Sequence, residues 1–326
     1  MDQQAVIPWQ EPDLDLLFAA WLDAKAGRTN SEKTKRAYHD TFRMFRLALW
    51  NVELDLDSDP VAVSLVAQGW AGIAWRTGGE VKPATFDLRL AIVSSWYRFA
   101  LKRAPRRFPI NPITLVERKP VQAYASAEAL EPQGIEPTLA QINQNTLAGA
   151  RDYALLLVAL VTGRRVAELA GMRWKHLKRL LNGRMVVHYP RCKGGKQMDD
   201  LLPTIASRAI VTWLRKFYGD LEQMQDDDPI WVCLSHRDWG KPLTTRSMSR
   251  VCKQRLGTSK VHTTRHTFAR TMEDAGAKTS EIAMRLVQDN PAIVGRYLAR
   301  LRREDNQHEE GLVSLYGFTG NGTGES

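Results

Sequence analysis

The stretch His262-Thr263-Thr264-Arg265-His266-Thr267-Phe268-Ala269 places a histidine and an arginine three positions apart. On a helix, residues three apart lie on one face, so both side chains can contact the same ligand. A second arginine stands in Thr162-Gly163-Arg164-Arg165, and Glu168 follows three positions after Arg165, where it can orient that arginine. Tyr297 comes later, near the C-terminus.

These residue types together are suited to breaking and rejoining a DNA strand through a protein–phosphate ester. Guanidiniums hold nonbridging phosphate oxygens in paired hydrogen bonds and stay charged. A histidine such as His262 can donate to a phosphate oxygen or carry a proton near neutral pH. Tyr297 needs cationic neighbours to act as a nucleophile, because its ordinary pKa is about 10. Each residue alone is more typical of a surface or packed position, so the order and spacing of the set carry the hypothesis.

A lysine on a predicted hairpin adds to the set. Cys192-Lys193-Gly194-Gly195-Lys196 separates two segments that are predicted as strands. Lys193 on such a turn could reach the minor groove and donate a proton to a leaving 5′-oxygen. Lys196 is an alternative for that role.

Composition limits the class of protein. The chain has 326 residues, 44% of them hydrophobic, which predicts two folded domains. A net charge of +10 favours a polyanionic partner such as nucleic acid, although a merely basic enzyme also fits. Three distant cysteines argue against a disulfide framework or a zinc site. No leader or membrane-spanning run is visible, so we expect a cytoplasmic protein without a membrane partner.

Residues 1–12 are predicted as an N-terminal tail and residues 13–104 as a helical domain. Apolar periodicity and capping residues predict helices over 13–26, over 32–50, from Pro60 through Trp70 and from about 83 to 104. We expect basic side chains on the exposed faces of this domain: Lys33, Lys35, Arg36, Arg43 and Arg89.

A basic, proline-containing linker is predicted over 105–135, followed by a second domain over 136–303 and a tail over 304–326. The glycine-rich end, 317–326, is predicted to be disordered. The elements predicted in the second domain are helices 138–145, 151–162, 165–170, 205–218, 244–256, 264–275 and 280–286, strands 184–189 and 197–202, and an acidic loop 220–229.

With these residues in place, the chain resembles the tyrosine recombinases, or phage-type integrases, which include Xer-like and lambda-like members. The Thr-Gly-x-Arg turn, the hairpin lysine, the His-x-x-Arg and the late tyrosine match that family's pattern, and Pro203 also fits. Ser31–Tyr38 and Lys82–Leu90 are similar to its first domain. Carried over, the catalytic set is Arg165, Glu168, Lys193, His262, Arg265, Gln288 and Tyr297.

One position departs from the family pattern. The family usually has Leu-Gly-His nine residues before the tyrosine, with His or Trp at the third place, whereas this chain reads Leu286-Val287-Gln288. A glutamine can donate a hydrogen bond to a phosphate oxygen but cannot shuttle a proton. The resemblance therefore implies activity with a tuned or reduced contribution from Gln288.

The resemblance implies a mainly α fold with a small antiparallel sheet. A four-helix, SAM-like core-binding domain and a mixed α/β catalytic domain would form a clamp around double-stranded DNA. Strand exchange would pass through a 3′-phosphotyrosyl link and a Holliday junction, in a homo-tetramer on two duplexes, without a cofactor or a metal. The tail would dock on a neighbouring protomer, and accessory DNA-bending proteins could take part. The alternatives are relaxation of the type IB topoisomerase kind and a non-catalytic DNA-binding accessory protein.

Overall fold

The computed structural model describes residues 13–29, 32–75, 77–118, 128–192, 195–258, 260–288 and 290–301, with the backbone alone at 28, 29, 297, 300 and 301. It divides into two compact units, Met1–Gln122 and Ala123–Ser326. Each unit has its own buried apolar cluster. The predicted fold class is confirmed, since the described elements are mostly helices with one small antiparallel sheet.

The described part of the first unit contains four α-helices: α1 Leu14–Thr29, α2 Glu32–Trp50, α3 Pro60–Gly72 and α4 Pro83–Leu101. Local chemistry sets where they begin. The side chain of Asp59 accepts hydrogen bonds from the first backbone N–H groups of α3. Proline is the first residue of both α3 and α4, where its missing N–H costs nothing. The predicted span of α2 is confirmed at both ends.

Aromatic side chains fill the centre of the first unit. Phe42 on α2 lies 5.5 Å from Trp21 on α1 and 4.9 Å from Trp96 on α4, measured between ring centroids. All three rings are buried, and the indole N–H of Trp21 donates to the hydroxyl of Ser95. Burial of such rings stabilises a small helical domain by about 2–3 kcal/mol each.

Residues 105–118, assigned to the linker from the sequence, pack on this same cluster. Phe108, Ile113 and Val116 are buried there. A short 3₁₀ turn, Pro112–Leu115, begins where the side chain of Asn111 accepts from the backbone N–H of Ile113. The few apolar side chains of this segment therefore hold it to the helices.

Arg89 corrects one expectation, because it is buried rather than exposed. Its Nη1 donates to the carbonyl oxygens of Trp70, Ala71 and Ile73, at and beyond the C-terminus of α3. Its guanidinium also lies 4.0 Å from the ring centroid of Trp75. Arg89 therefore satisfies carbonyls that α3 leaves without partners, which helical periodicity alone did not reveal.

The described part of the second unit contains further helices and three strands. They are α5 Pro132–Ala140, α6 Leu147–Thr162, α7 Val166–Ala170, β1 Leu177–Arg179, β2 Met185–Tyr189, β3 Met198–Leu201, α8 Thr204–Tyr218, α9 Thr245–Leu256, α10 His262–Asp274, α11 Thr279–Arg285 and α12 Pro291–Leu301. α6 is buried along most of its length and forms the centre of this core.

The sheet has the order β1-β2-β3, with all neighbours antiparallel. The predicted hairpin of β2 and β3 is present, with Val186 opposite Leu201 and Tyr189 opposite Met198. β1 was not predicted, because its three residues, Leu-Lys-Arg, are too few to show alternation and carry no β-branched side chain.

The predicted helix over 138–145 is wrong in position, since α5 runs from Pro132 to Ala140. Pro132 occupies the first helical position, where proline is favoured, and Pro137 lies inside the helix. Among the described helices, none is long and apolar enough to cross a membrane. The predicted tail 304–326, including the glycine-rich end, lies outside the described residues.

Candidate active site

The site is built on a turn between α6 and α7. α6 ends at Gly163, which has a left-handed backbone with φ of 60°. A Cβ atom placed on Gly163 would lie 2.5 Å from Cδ1 of Phe268 and 3.0 Å from Cδ2 of Leu286. Glycine is therefore required twice over, by its dihedral angle and by the close approach of α10 and of the turn after α11.

The two arginines after Gly163 have different surroundings. The side chain of Arg164 is 1% exposed, whereas that of Arg165 is 18% exposed. Glu168 accepts from the backbone N–H of Arg165 at 2.9 Å and from its Nη1 at 3.0 Å. One buried carboxylate thus caps α7 and orients the guanidinium, as the sequence predicts for this pair. Of these two neighbours, Arg165 is the one that a ligand can reach.

Arg265 lies on α10 and reaches the same turn. Its Nη1 donates to the carbonyl oxygen of Gly163 at 2.9 Å, and its Nη2 donates to that of Leu286 at 2.6 Å. The guanidinium is buried, so these two bonds fix its place between the α6–α7 turn and the end of α11.

Two histidines stand on α10 beside Arg265. His262 is exposed at the first position of the helix, and His266 follows one turn later with a ring-centroid separation of 5.9 Å. Burial, together with the electrostatic effect of His262 and the positive charges of Arg265 and Lys260, lowers the pKa of His266 to about 4. His266 is therefore neutral at physiological pH, and His262 is the more accessible of the two imidazoles.

Gln288 follows the turn that ends α11. The backbone N–H of Gln288 donates to the carbonyl oxygen of Ala283, and that of Val287 donates to Met284, which is the Schellman pattern. Val287 takes the left-handed position of this motif with φ of 50°. The side-chain oxygen of Gln288 accepts from Nη2 of Arg165 at 3.3 Å. Since arginine can only donate, the amide nitrogen of Gln288 is the end that could donate to a phosphate.

The side chains of two predicted site residues lie outside the described part of the chain. Lys193 lies outside the described residues, and Tyr297 lies on the described backbone of α12, with its side chain outside. Lys196, the alternative to Lys193, is exposed, and its carbonyl oxygen accepts from the N–H of Cys192 across the hairpin loop. The structure thus brings Arg165, Glu168, Arg265 and Gln288 together and places His262 one turn before Arg265.

Sequence reasoning missed a pair behind the site. Arg164 donates to both carboxylate oxygens of Asp200 on β3, from Nε at 2.6 Å and from Nη2 at 2.9 Å. The only sequence signal was an aspartate at the inward-facing position of a strand whose neighbours face out. That signal does not identify a partner 36 positions away.

The chain is similar to known proteins in sequence and in fold. The phage integrase family model matches residues 129–304. A tyrosine recombinase of Synechococcus elongatus is 26% identical over 78% of this chain and 76% of its own. The tyrosine recombinase XerC of Myxococcus xanthus is 29% identical over 83% of this chain and 90% of its own.

Solved structures show the same fold. XerH site-specific recombinase in a post-cleavage complex with a palindromic difH substrate has a TM-score of 0.64 at 17% identity, over 94% of this chain and 91% of that one. A lambda integrase tetramer bound to a Holliday junction has a TM-score of 0.60 at 16% identity, over 88% and 78%. The chain therefore belongs to the phage integrase family and is an enzyme of the tyrosine site-specific recombinase type.

Proposed function

We propose that Tyr297 is the nucleophile of DNA strand cleavage and that Arg165, Arg265, His262 and Gln288 surround the scissile phosphate. The observation that carries this proposal is the convergence of Arg165 and Arg265 on one turn. Arg265 binds the carbonyl of Leu286, and Arg165 binds the side chain of Gln288. That turn leads directly into α12, which carries Tyr297.

In the first step, the Tyr297 oxygen bonds to phosphorus and the bond from phosphorus to the 5′-oxygen breaks. The phenolic proton passes to a base, for which the imidazole of His262 is the candidate. The leaving 5′-oxygen takes a proton from the hairpin lysine, Lys193 or Lys196. In the second step, a 5′-hydroxyl of the partner duplex attacks the phosphotyrosyl link and restores the free phenol. No net bond energy is consumed.

The arginines stabilise the charge that builds on the nonbridging oxygens of the pentacoordinate phosphorus. Arg165 has five N–H donors, and the bonds to Glu168 and Gln288 leave donors for an incoming phosphate. Preorganised donors of this kind contribute about 10²–10³ each to the rate. The hydrogen bond to Glu168 holds the Arg165 guanidinium in one orientation before DNA binds.

Duplex DNA as partner is supported by charge. Lys33, Arg36 and Arg43 are exposed along α2 of the first unit, and the chain carries +10 overall. Contacts of this kind bind phosphates without regard to sequence and weaken with salt. We propose that 13–104, with 105–118 packed on its core, acts as the core-binding domain, that the linker lies in the rest of 105–135, and that 136–303 acts as the catalytic domain, together enclosing the duplex.

We propose a homo-tetramer that acts on two duplexes through a Holliday junction, with the 304–326 tail docking on a neighbouring protomer. The lambda integrase tetramer on such a junction supports this assembly by analogy of fold. Accessory DNA-bending proteins would add to the assembly where the two sites must be brought together.

The test uses duplexes selected by this chain from a randomised pool, prepared with a nick next to each candidate phosphate so that cleavage traps the adduct. Wild type should form a covalent complex, and peptide mapping should find the nucleotide on Tyr297. Tyr297→Phe should bind equally well and form no adduct. The same change at Tyr316, the next tyrosine along the chain and the nearest rival as nucleophile, should behave as wild type. An adduct on Tyr297→Phe would disprove the assignment. Relaxation of plasmid lacking the selected site would instead favour the topoisomerase activity.

A further inference from the structure

Arg164 makes three bonds from a fully buried position. Two go to Asp200 on β3, and Nη2 also donates to the carbonyl oxygen of Arg285, at the end of α11, at 2.7 Å. The guanidinium also lies 5.1 Å from the ring centroid of Tyr189 on β2. Arg164 is thus in contact with both strands of the hairpin and with the end of α11.

Through these contacts, Arg164 connects three parts of the proposed active site. The loop joining β2 and β3 carries the hairpin lysine, the residue after Arg164 is Arg165, and the turn after Arg285 carries Gln288. The turn over 285–288 is held by three arginines in succession. Arg164 binds the carbonyl of Arg285, Arg265 binds that of Leu286, and Arg165 binds the side chain of Gln288.

The burial of this pair has an electrostatic cost, which the bonds of Nε and Nη2 offset only in part, because Nη1 of Arg164 is buried without a hydrogen-bond partner. Burial lowers the pKa of Arg164, but the hydrogen bonds and charge of Asp200 raise it by more, so the guanidinium stays charged. A buried ion pair is seldom worth more than an apolar pair of the same volume. A geometric role gives a reason for an arginine here, since its planar fork can bind a carboxylate and a carbonyl at fixed angles.

We propose that Arg164 and Asp200 form a positioning pair. The pair fixes the β2–β3 hairpin, whose loop carries the lysine, and the turn over 285–288 relative to Arg165. The inference rests on the proposed strand cleavage. Arg164 does not touch DNA in this role; it acts through the residues it holds. Loss of the fork lets the hairpin and the turn shift, and a misplacement of about 1 Å can cost roughly 100-fold in rate.

The chain offers a control in a second ion pair of the same unit, in which Asp152 is buried and the side chain of Arg255 is 33% exposed. Arg255 donates from Nε and Nη2 to one oxygen of Asp152, both at 3.0 Å, and Asp152 is also bound by Arg151. None of these bonds involves the hairpin or the 285–288 turn. Arg164→Lys and Arg255→Lys each keep the charge and lose the fork.

The experiment measures single-turnover cleavage of the selected nicked duplex, DNA affinity and thermal unfolding for both variants, below the melting temperature of each. We expect both variants to have a lower melting temperature than wild type. Their dissociation constants for DNA should stay within about twofold of the wild-type value. Arg164→Lys should cleave about 10- to 100-fold more slowly, and Arg255→Lys should cleave at the wild-type rate. Equal cleavage rates for the two would overturn the inference. Absence of an adduct with wild type would instead count against strand cleavage itself.

A double-mutant cycle distinguishes positioning from general weakening. If Arg164 acts partly through Gln288, the two substitutions should not combine independently. The slowing of cleavage in the double variant Arg164→Lys, Gln288→Ala should be smaller than the product of the slowing in the two single variants. Arg255→Lys and Gln288→Ala should combine independently. Independence in the first cycle would contradict the inference. Should Arg164→Lys fail to fold, Asp200→Asn, which keeps an acceptor on β3, takes its place in the same measurements with the same expected order.

Discussion

The ring of Phe268 occupies the space into which any side chain at Gly163 would extend, 2.5 Å from a Cβ built on that glycine. The contact joins α10, which carries His262 and Arg265, to the turn that carries Arg165. The close packing of Phe268 on Gly163 thus fixes the positions of Arg165 and Arg265 relative to each other.

Gly163→Ala should therefore destabilise the second unit by about 2–4 kcal/mol, through the left-handed dihedral angle and the forced shift of Phe268. Gly257→Ala is the matched control, because Gly257 has φ of 72° and nothing within 4 Å of its Cβ position. It should cost only the dihedral part, about 1 kcal/mol. Urea unfolding of both variants measures the difference, and equal losses would contradict the role assigned to Phe268.

Arg165→Ala and Arg265→Ala should each slow cleavage by about 10²–10³. They should differ in stability. Arg265 is buried and binds two backbone carbonyls, so its loss leaves those acceptors unsatisfied, whereas Arg165 is partly exposed. The melting temperature should therefore fall clearly for Arg265→Ala and little for Arg165→Ala. Cleavage within a few-fold of wild type for either variant would rule out its contact with the phosphate.

Gln288 should contribute less than either arginine, because a neutral donor contributes less than a charged one. Gln288→Ala should slow cleavage by less than Arg265→Ala, and Gln288→His should keep or raise the rate. Gln288→Glu is nearly isosteric, yet it would bind Arg165 through a charge and repel the phosphate, so it should be slower than Gln288→Ala. The series is compared at saturating DNA. A Glu variant as fast as wild type would place Gln288 away from the phosphate.

Val287 holds a dihedral angle that favours glycine, with φ of 50°. Val287→Gly should therefore be more stable than Val287→Ala by about 1 kcal/mol. The order should reverse at Met284, an exposed residue inside α11, where alanine is better than glycine by about 1 kcal/mol. Denaturant unfolding of the four variants tests this inversion. The same order at both positions would show that Val287 is not left-handed in solution.

His266 predicts a pH dependence of stability. Its pKa in the folded chain is about 4, below the ordinary 6.5, so between these values the unfolded chain binds a proton that the folded chain does not. Its contribution to stability should be present above pH 6.5 and lost as the pH falls toward 4. Melting temperatures should therefore drop more between pH 7 and pH 5 for wild type than for His266→Gln. Parallel curves for the two proteins would contradict a half-buried, neutral His266.

Much of the local structure could be predicted from the sequence. The bounds of α2, the Asp59 cap with Pro60, the β2–β3 hairpin and the contact of Arg165 with Glu168 all depend on residues that are close together in sequence. Periodicity, capping and turn chemistry act over that range. The order of charged residues along the chain likewise sufficed to identify the family.

The tertiary structure decided which charges are buried and what they hold. Arg89 was expected at the surface, yet it lies on the carbonyls at the end of α3. Arg164 and Arg165 are neighbours in sequence, but one pairs with Asp200, 36 positions away, and the other with Gln288, 123 positions away. A charge can be buried only where distant segments supply its partners. Local sequence determined which elements form, and their packing determined which arginine is buried behind the site and which is partly exposed in it.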